Sequence, residues 1–270
     1  MTEDEVARLE AIEMAAWEDM FAAAPAPLAE QLGMATERFG PALFTVAKAI
    51  DNGQFCRVQG CGLPGDETGA SIDEAVKRFR GLGLKNYLIQ IPPGPHADQL
   101  IHKAEHHGLV PFRRSWTKFR RGTAPAPSAP TTLRIAQAAA AQGAAFGAVA
   151  TAGFGMPGFL GGWLGALAGR PNWRCYLAYD SDLPVGCGAA YLDGDGAWLG
   201  IGATRPEARG HGSQSAILAR RISDEMSAGA RLICTETGSA VEGEPQTSYQ
   251  NILRAGFSVA YERLNFTEPG

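Results

Sequence analysis

Hydrophobic and polar positions alternate along the chain in two rhythms. A helical period runs through MTEDEVARLEAIEMAAW at the N-terminus, SIDEAVKRFRGLG (71–83), HADQLIHKAEHHG (96–108) and SQSAILARRISDEMSAG (213–229). Short apolar runs rich in β-branched and aromatic residues, NYLIQI (86–91), LVPFRRSWTKF (109–119), ARLICTET (230–237) and FSVAYERLNF (257–266), predict strands. Between them, the second half predicts a strand over Leu133 to Gln137, then two helices over Ala138 to Gly155 and Pro157 to Gly169. Strands follow over Trp173 to Tyr179, Val185 to Leu192 and Ala197 to Ala203, with DGDG (193–196) as a hairpin turn. TSYQNILRAG (247–256) predicts a last short helix. Tight turns pair strands antiparallel, whereas the strand–loop–helix–strand step after Ala197 requires a parallel crossover. The expected fold class is therefore α/β: a mixed, mostly antiparallel sheet flanked by helices.

GTAPAPSAPTT (122–132) interrupts both rhythms. Its prolines and small residues form a stiff segment without core residues, so we expect a linker there, between domains at 1–121 and 133–270. Each half ends in helix, strand, helix, strand. The helix-ending glycines are similarly spaced, Gly83 and Gly108 in one half, Gly229 and Gly256 in the other. A diverged internal duplication is expected. Charge is evenly divided: 14 basic and 16 acidic residues up to Gly122, 10 and 12 beyond it, within a net charge of -4. Neither half is a basic arm, which argues against nucleic acid as a partner.

The run TRPEARGHGSQSAIL (204–218) sits between a strand and a helix start. Helix N-termini present unpaired N–H groups and partial positive charge. Gly210 and Gly212 permit close backbone approach, Arg209 adds a full charge and Ser213 can cap the helix, all of which suits a pyrophosphate. The run is neither a Walker loop nor GxGxxG, since Ser215 stands at the third glycine.

With its context, strand, ARGHG, long helix, strand, short helix, AGF, strand, the run resembles the GCN5-related N-acetyltransferase superfamily from Leu133 onward. The family pattern Q/R-x-x-G-x-G/A reads here as Arg209-Gly210-His211-Gly212-Ser213-Gln214, with glutamine in the last place. The first half looks like a degenerate copy, which implies two tandem acyl-CoA N-acyltransferase-like domains. Its corresponding loop, GLPGDETGAS (62–71), has two acidic residues and no arginine, so no coenzyme A is expected there.

The resemblance implies acetyl-CoA as co-substrate. Its pyrophosphate would lie on the 209–214 loop and its pantetheine beside Ile201, Gly202, Ala203 and Thr204, with the N–H near Ala203 as oxyanion donor. The acceptor would be an amine of a small molecule or peptide. The fourth strand, AWLGIGA, lacks the glutamate that many family members use as base, which makes Glu236 the first alternative. The family's usual tyrosine acid is replaced by Ile252, which leaves Tyr249 or Ser248 as acid. MPGFLGGWLGALAG (156–169) would form a lid, its glycines giving mobility and Phe159, Leu160 and Trp163 an apolar wall.

Two other readings compete. Without the strand carboxylate and the tyrosine, the chain would be a coenzyme A-binding sensor or scaffold. HKAEH (102–106) matches H-x-x-E-H, a zinc-hydrolase motif with Glu105 as base, but it falls in the last turn of its helix, and no metal is expected. The five cysteines form no CxxC pair and read as buried thiols. The acidic N-terminus is not a signal peptide, and 156–168 is too short to span a membrane, so a cytoplasmic location is expected. Oligomeric state stays open.

Overall fold

The computed structural model describes residues 1–50 and 52–270. The first half runs α1 (Glu3–Ala22), α2 (Ala26–Leu32), β1 (Met34–Phe39), β2 (Ala42–Ala47), β3 (Arg57–Gln59), α3 (Ala70–Gly81), β4 (Leu88–Ile91), α4 (Ala97–His106), β5 (Val110–Pro111) and β6 (Trp116–Arg121). The second runs β7 (Arg134–Ala138), α5 (Gly143–Phe154), α6 (Gly161–Gly165), β8 (Trp173–Asp180), β9 (Leu183–Asp193), β10 (Gly196–Thr204), α7 (Ser213–Ser227), β11 (Leu232–Gly238), α8 (Thr247–Arg254) and β12 (Ser258–Thr267). Residues 122–132 form neither helix nor strand.

Helix α1 starts where its sequence says it should. Thr2 accepts from Glu5 N and Glu5 accepts from Thr2 N, a complete capping box ahead of an apolar run. The sheet is continuous, in the order β1-β2-β3-β4-β12-β6-β11-β10-β9-β8-β7, with β5 on the side of β12. The described pairs are antiparallel except β3–β4 and β10–β11. Each parallel pair closes a strand–loop–helix–strand unit, one per half, matching the internal duplication in the sequence.

The halves exchange strands. β6, from before the linker, lies between β11 and β12. In return, the far end of β12 pairs with β4 and β5. LVPFRRSWTKF is therefore two strands rather than one: Val110–Pro111 stays with the first half, and the chain then crosses to the second. The 122–132 segment is tied at both ends. Arg121 Nη2 donates to Ala124 O and Pro125 O at 3.0 and 3.1 Å, and Thr131 Oγ1 donates to His211 O at 2.9 Å, in the glycine loop.

The glycine-rich 143–169 region departs from expectation. The strand reaches Ala138, a 3-10 turn covers 140–142, and α5 begins only at Gly143. The predicted second helix shrinks to a 3-10 turn at Gly158–Leu160 and the five-residue α6. The glycines serve contact, not motion. A Cβ on Gly147 would lie 2.0 Å from Gly161 O, and one on Gly143 2.5 Å from Gly165 O. α5 and α6 thus touch backbone to backbone. Trp163 and Leu160 are buried, with Trp163 Nε1 donating to Met20 O at 2.7 Å, while Phe159 points to solvent. Among these three the expected lid wall is core or surface, so 156–169 is a packed element.

Candidate active site

The site begins with a defect in the sheet. β10 pairs with β11 only from Gly196 to Trp198. Thr235 Oγ1 then donates to Leu199 O at 2.7 Å, and beyond that point the strands part. On its other edge β10 slips against β9 between Gly200 and Ala203, with Ile201 at φ 53. A bulge frees backbone groups that must be paired elsewhere. Helix α7 supplies the partners from two positions on one face. Gln214 Nε2 donates to Ala203 O (2.7 Å) and Cys187 O (3.1 Å), and Arg221 Nη1 donates to Ala189 O and Gly200 O, both at 2.9 Å. This explains the glutamine at the departing motif position: it ties the helix to the bulge. Arg221 has no counterpart in the sequence-based expectation; only its place on the α7 face that also carries Gln214 points to it. Burial pushes its pKa down, to about 10.

The glycine loop stands at the open end of this gap. Gly210 and Gly212 have φ of 88° and 78°, a region that penalises a Cβ. Gly212 is the N-cap and gives α7 no side-chain cap, so the first-turn N–H groups face outward. Ser213 is not that cap, contrary to expectation: its Oγ is buried under Gly186 and has no partner among the described residues. Arg209 Nη2 donates to Gly153 O at 3.1 Å, at the end of α5. His211 is exposed, with Nδ1 3.3 Å from Ala208 O.

A cavity of about 500 Å³ passes through the gap. At the glycine-loop end it is lined by Ile201, Gly202, Gln214, Arg221, Ser248 and Asn251. Elsewhere in its lining Trp17, Phe55, Trp198 and Trp116, drawn from both halves, group around one another and Arg57, and Phe154 and Met156 also line it. Ala203 and Thr204 are buried beside it, and the Cys187 thiol donates to Ile201 O at 3.5 Å across the bulge. Burial pushes the Cys187 thiol up to about 12.

The three catalytic candidates separate. Ser248 lines the cavity. Tyr249 does not: its ring meets Phe119 edge-on at 5.0 Å, under the sheet. Glu236 lines the cavity but belongs to a buried ionic cluster assembled from both halves and both exchanged strands. Arg263 Nη2 donates to Glu236 Oε2 at 2.5 Å, with Lys118 Nζ 3.7 Å and Arg57 Nη1 3.8 Å away. Glu10 and Glu13 of α1 complete the cluster, against Arg263, Arg57 and Lys118. Burial alone would raise the Glu236 carboxyl, but Arg263, then Lys118 and Arg57, outweigh it and hold it below the usual carboxylate range.

The first half's loop also ends on a glycine N-cap of positive φ, Gly69, but differs in content. Asp66 is buried, and its carboxylate accepts from Ser71 N at 3.0 Å, Ser71 Oγ at 2.5 Å and Gly62 N at 3.0 Å. An anion from the chain itself therefore sits at the start of α3. On α4, His102, Glu105 and His106 are exposed, and His102 Nδ1 lies 3.4 Å from Glu105 Oε2. No cluster of potential metal ligands occurs among the described residues. No described helix is long and apolar enough to cross a membrane.

No protein-family model matches the sequence, and no curated protein matches it. Solved structures do. A GCN5-related N-acetyltransferase from Kribbella flavida superposes with a TM-score of 0.63 at 15% identity, over 97% of this chain and 96% of its own. One from Sphaerobacter thermophilus gives 0.58 at 16%, over 85% and 81%. A tandem GNAT protein from the clavulanic acid biosynthesis pathway gives 0.57 at 15%, over 99% and 96%. Strand order, the splayed parallel pair and the near-complete overlap agree: the chain has the fold of the tandem GCN5-related N-acetyltransferases.

Proposed function

We propose that the chain is an acyl-CoA-dependent N-acyltransferase, using acetyl-CoA and acting from its second half. The observation that carries this is the continuous path from the uncapped start of α7, along the bulged edge of β10, into the gap between β10 and β11. The loop amides and Arg209 would take the pyrophosphate, the arginine leaving Gly153 O. The 201–204 edge would take the pantetheine. The thioester would then lie in the gap, with the acceptor entering from the tryptophan-lined end. The first half, with Asp66 at its own α3 start, contributes a wall and the ionic cluster rather than a second coenzyme site.

The same geometry orders the catalytic candidates. A carboxylate held ionised by three cations is a weak base, so Glu236 is a structural member of the cluster. Tyr249 points away from the gap, which leaves Ser248, beside Asn251, as the hydroxyl placed to protonate a departing thiolate. Arg221, cationic at the gap, would stabilise negative charge on the sulfur.

Calorimetric titration of acetyl-CoA into wild type and Arg209→Ala/Gly212→Asp tests the reading. Binding by wild type and its loss in the variant are expected. Equal binding by both, or none by wild type, overturns it. A sensor without turnover would bind and release no thiol with any amine.

A further inference from the structure

The tryptophan-lined end of the cavity says what kind of amine it can hold. An alkylamine is an ammonium ion at neutral pH, and a largely apolar site holds such an ion best beside a free carboxylate or an open aromatic face. The carboxylate is taken here, and so are two of the aromatic faces. Glu236 is the carboxylate of the lining, and Arg263 holds it at 2.5 Å. Two of the five lining rings already face a cation: the Arg57 guanidinium carbon sits 3.8 Å from the Trp17 ring centroid and 5.5 Å from that of Trp116. A second cation arriving there would meet Arg57 across a low-dielectric space. Nor does the lining offer a free base to remove an ammonium proton.

Resting on the acyl-transfer reading above, we propose that the acceptor is a small aromatic amine, whose nitrogen is weakly basic because its lone pair is delocalised into the ring. Such an amine enters uncharged and needs no base to become nucleophilic. Its ring matches the walls: Trp17 meets Phe55 and Trp198 with centroids 6.3 Å apart in each case, and Trp116 and Phe154 are in the same lining. The cavity, about 500 Å³ and shared with the pantetheine end, leaves room for an acceptor of one or two rings. The nitrogen lone pair forms the C–N bond to the thioester carbonyl carbon. The C–S bond breaks with its electrons on sulfur, and one N–H proton reaches that thiolate. The products are the N-acetyl arylamine and free coenzyme A.

The test measures thiol release with 4-methoxyaniline, benzylamine and cyclohexylamine at neutral pH, alongside acetyl-CoA calorimetry and quenching of tryptophan fluorescence by each amine. We expect kcat/KM for the aniline to exceed that for either alkylamine by about ten-fold or more, the discrimination expected against an unpaired buried charge. Phe154→Glu places a carboxylate in the lining at a half-exposed position that tolerates it. It should swing the ratio about ten-fold toward benzylamine, measured at saturating acetyl-CoA. Preference of wild type for an alkylamine overturns the proposal. So does acetyl-CoA binding with neither quenching nor turnover by the aniline, and that outcome leaves the coenzyme site standing. Absence of acetyl-CoA binding removes the acyl-transfer reading itself.

Discussion

Replacing Glu236 with glutamine separates two roles that one carboxylate cannot fill equally well. In the wild type, Glu10, Glu13 and Glu236 face Arg57, Lys118 and Arg263, so the buried cluster is neutral. Glu236→Gln keeps the shape and one acceptor oxygen and leaves one buried positive charge unbalanced. Breaking a buried ion pair from one side costs about 3–5 kcal/mol, and the retained acceptor points to the lower end. For a chain of this size that is a fall in Tm of roughly 10 °C. Thermal unfolding with parallel thiol-release kinetics is the assay. The variant should melt early, with kcat within about three-fold of wild type below the transition, because no proton passes through this residue.

The pH dependence has a definite sign. The Glu236 carboxyl is held below its ordinary value in the fold, so its ionised form contributes stability above the unfolded carboxylate pKa, and this is lost as pH falls through the folded value. The difference in Tm between wild type and Glu236→Gln therefore narrows on acidification. Lys118→Met added to the variant restores charge balance and should recover part of the loss. A Tm equal to wild type with kcat down by about a hundred-fold would refute the structural assignment and make Glu236 the base.

Other consequences follow from single contacts. Gly147→Ala would place its Cβ 2.0 Å from Gly161 O, so despite alanine's better helix propensity it should destabilise by about 1–3 kcal/mol in urea unfolding. Asp66→Asn weakens the anion at the start of α3 and should cost about 1–2 kcal/mol with acetyl-CoA affinity unchanged; a change in that affinity would place a coenzyme site in the first half. Ser248→Ala should lower kcat by about ten-fold or more, whereas Tyr249→Phe, which keeps the ring on Phe119, should leave it within about two-fold, and the reverse order would exchange their roles.

The second half was legible in the sequence where local chemistry settles the structure. The DGDG turn, the long α7 after two glycines and the strands around them are local statements, and the elements lie within a residue or two of expectation. Two kinds of feature were not legible. Glycine spacing in 143–165 carries the same signature whether it loosens a lid or lets two helices touch, and only the partner backbone decides. Contacts between distant segments carry no local mark either. Nothing around Lys118 says that it meets Glu13, and nothing in TETG says that Glu236 faces an arginine of the last strand. Tyr249 and Ser248 are both acid candidates in the sequence, yet one residue along a helix turns a side chain by about 100°, which puts Ser248 in the cavity and Tyr249 under the sheet.

Strand exchange explains how the first half, for which we propose no coenzyme site, would remain necessary. β6 supplies the partner that both β11 and β12 lack, so the second half alone would expose two strand edges in the middle of its sheet. The same strand brings Lys118 to Glu13, and β12 brings Arg263 to Glu10 and Glu236, so the ionic cluster forms only when both halves have folded together. That cluster lies behind Trp17 and Trp116, and it fixes Arg57 over their faces. On the proposed reading, the electrostatics of the acceptor end come largely from the half that would not hold the coenzyme. In such an arrangement, substitutions in α1 and β3 would retune the amine while the glycine loop and the bulged strand kept the donor unchanged.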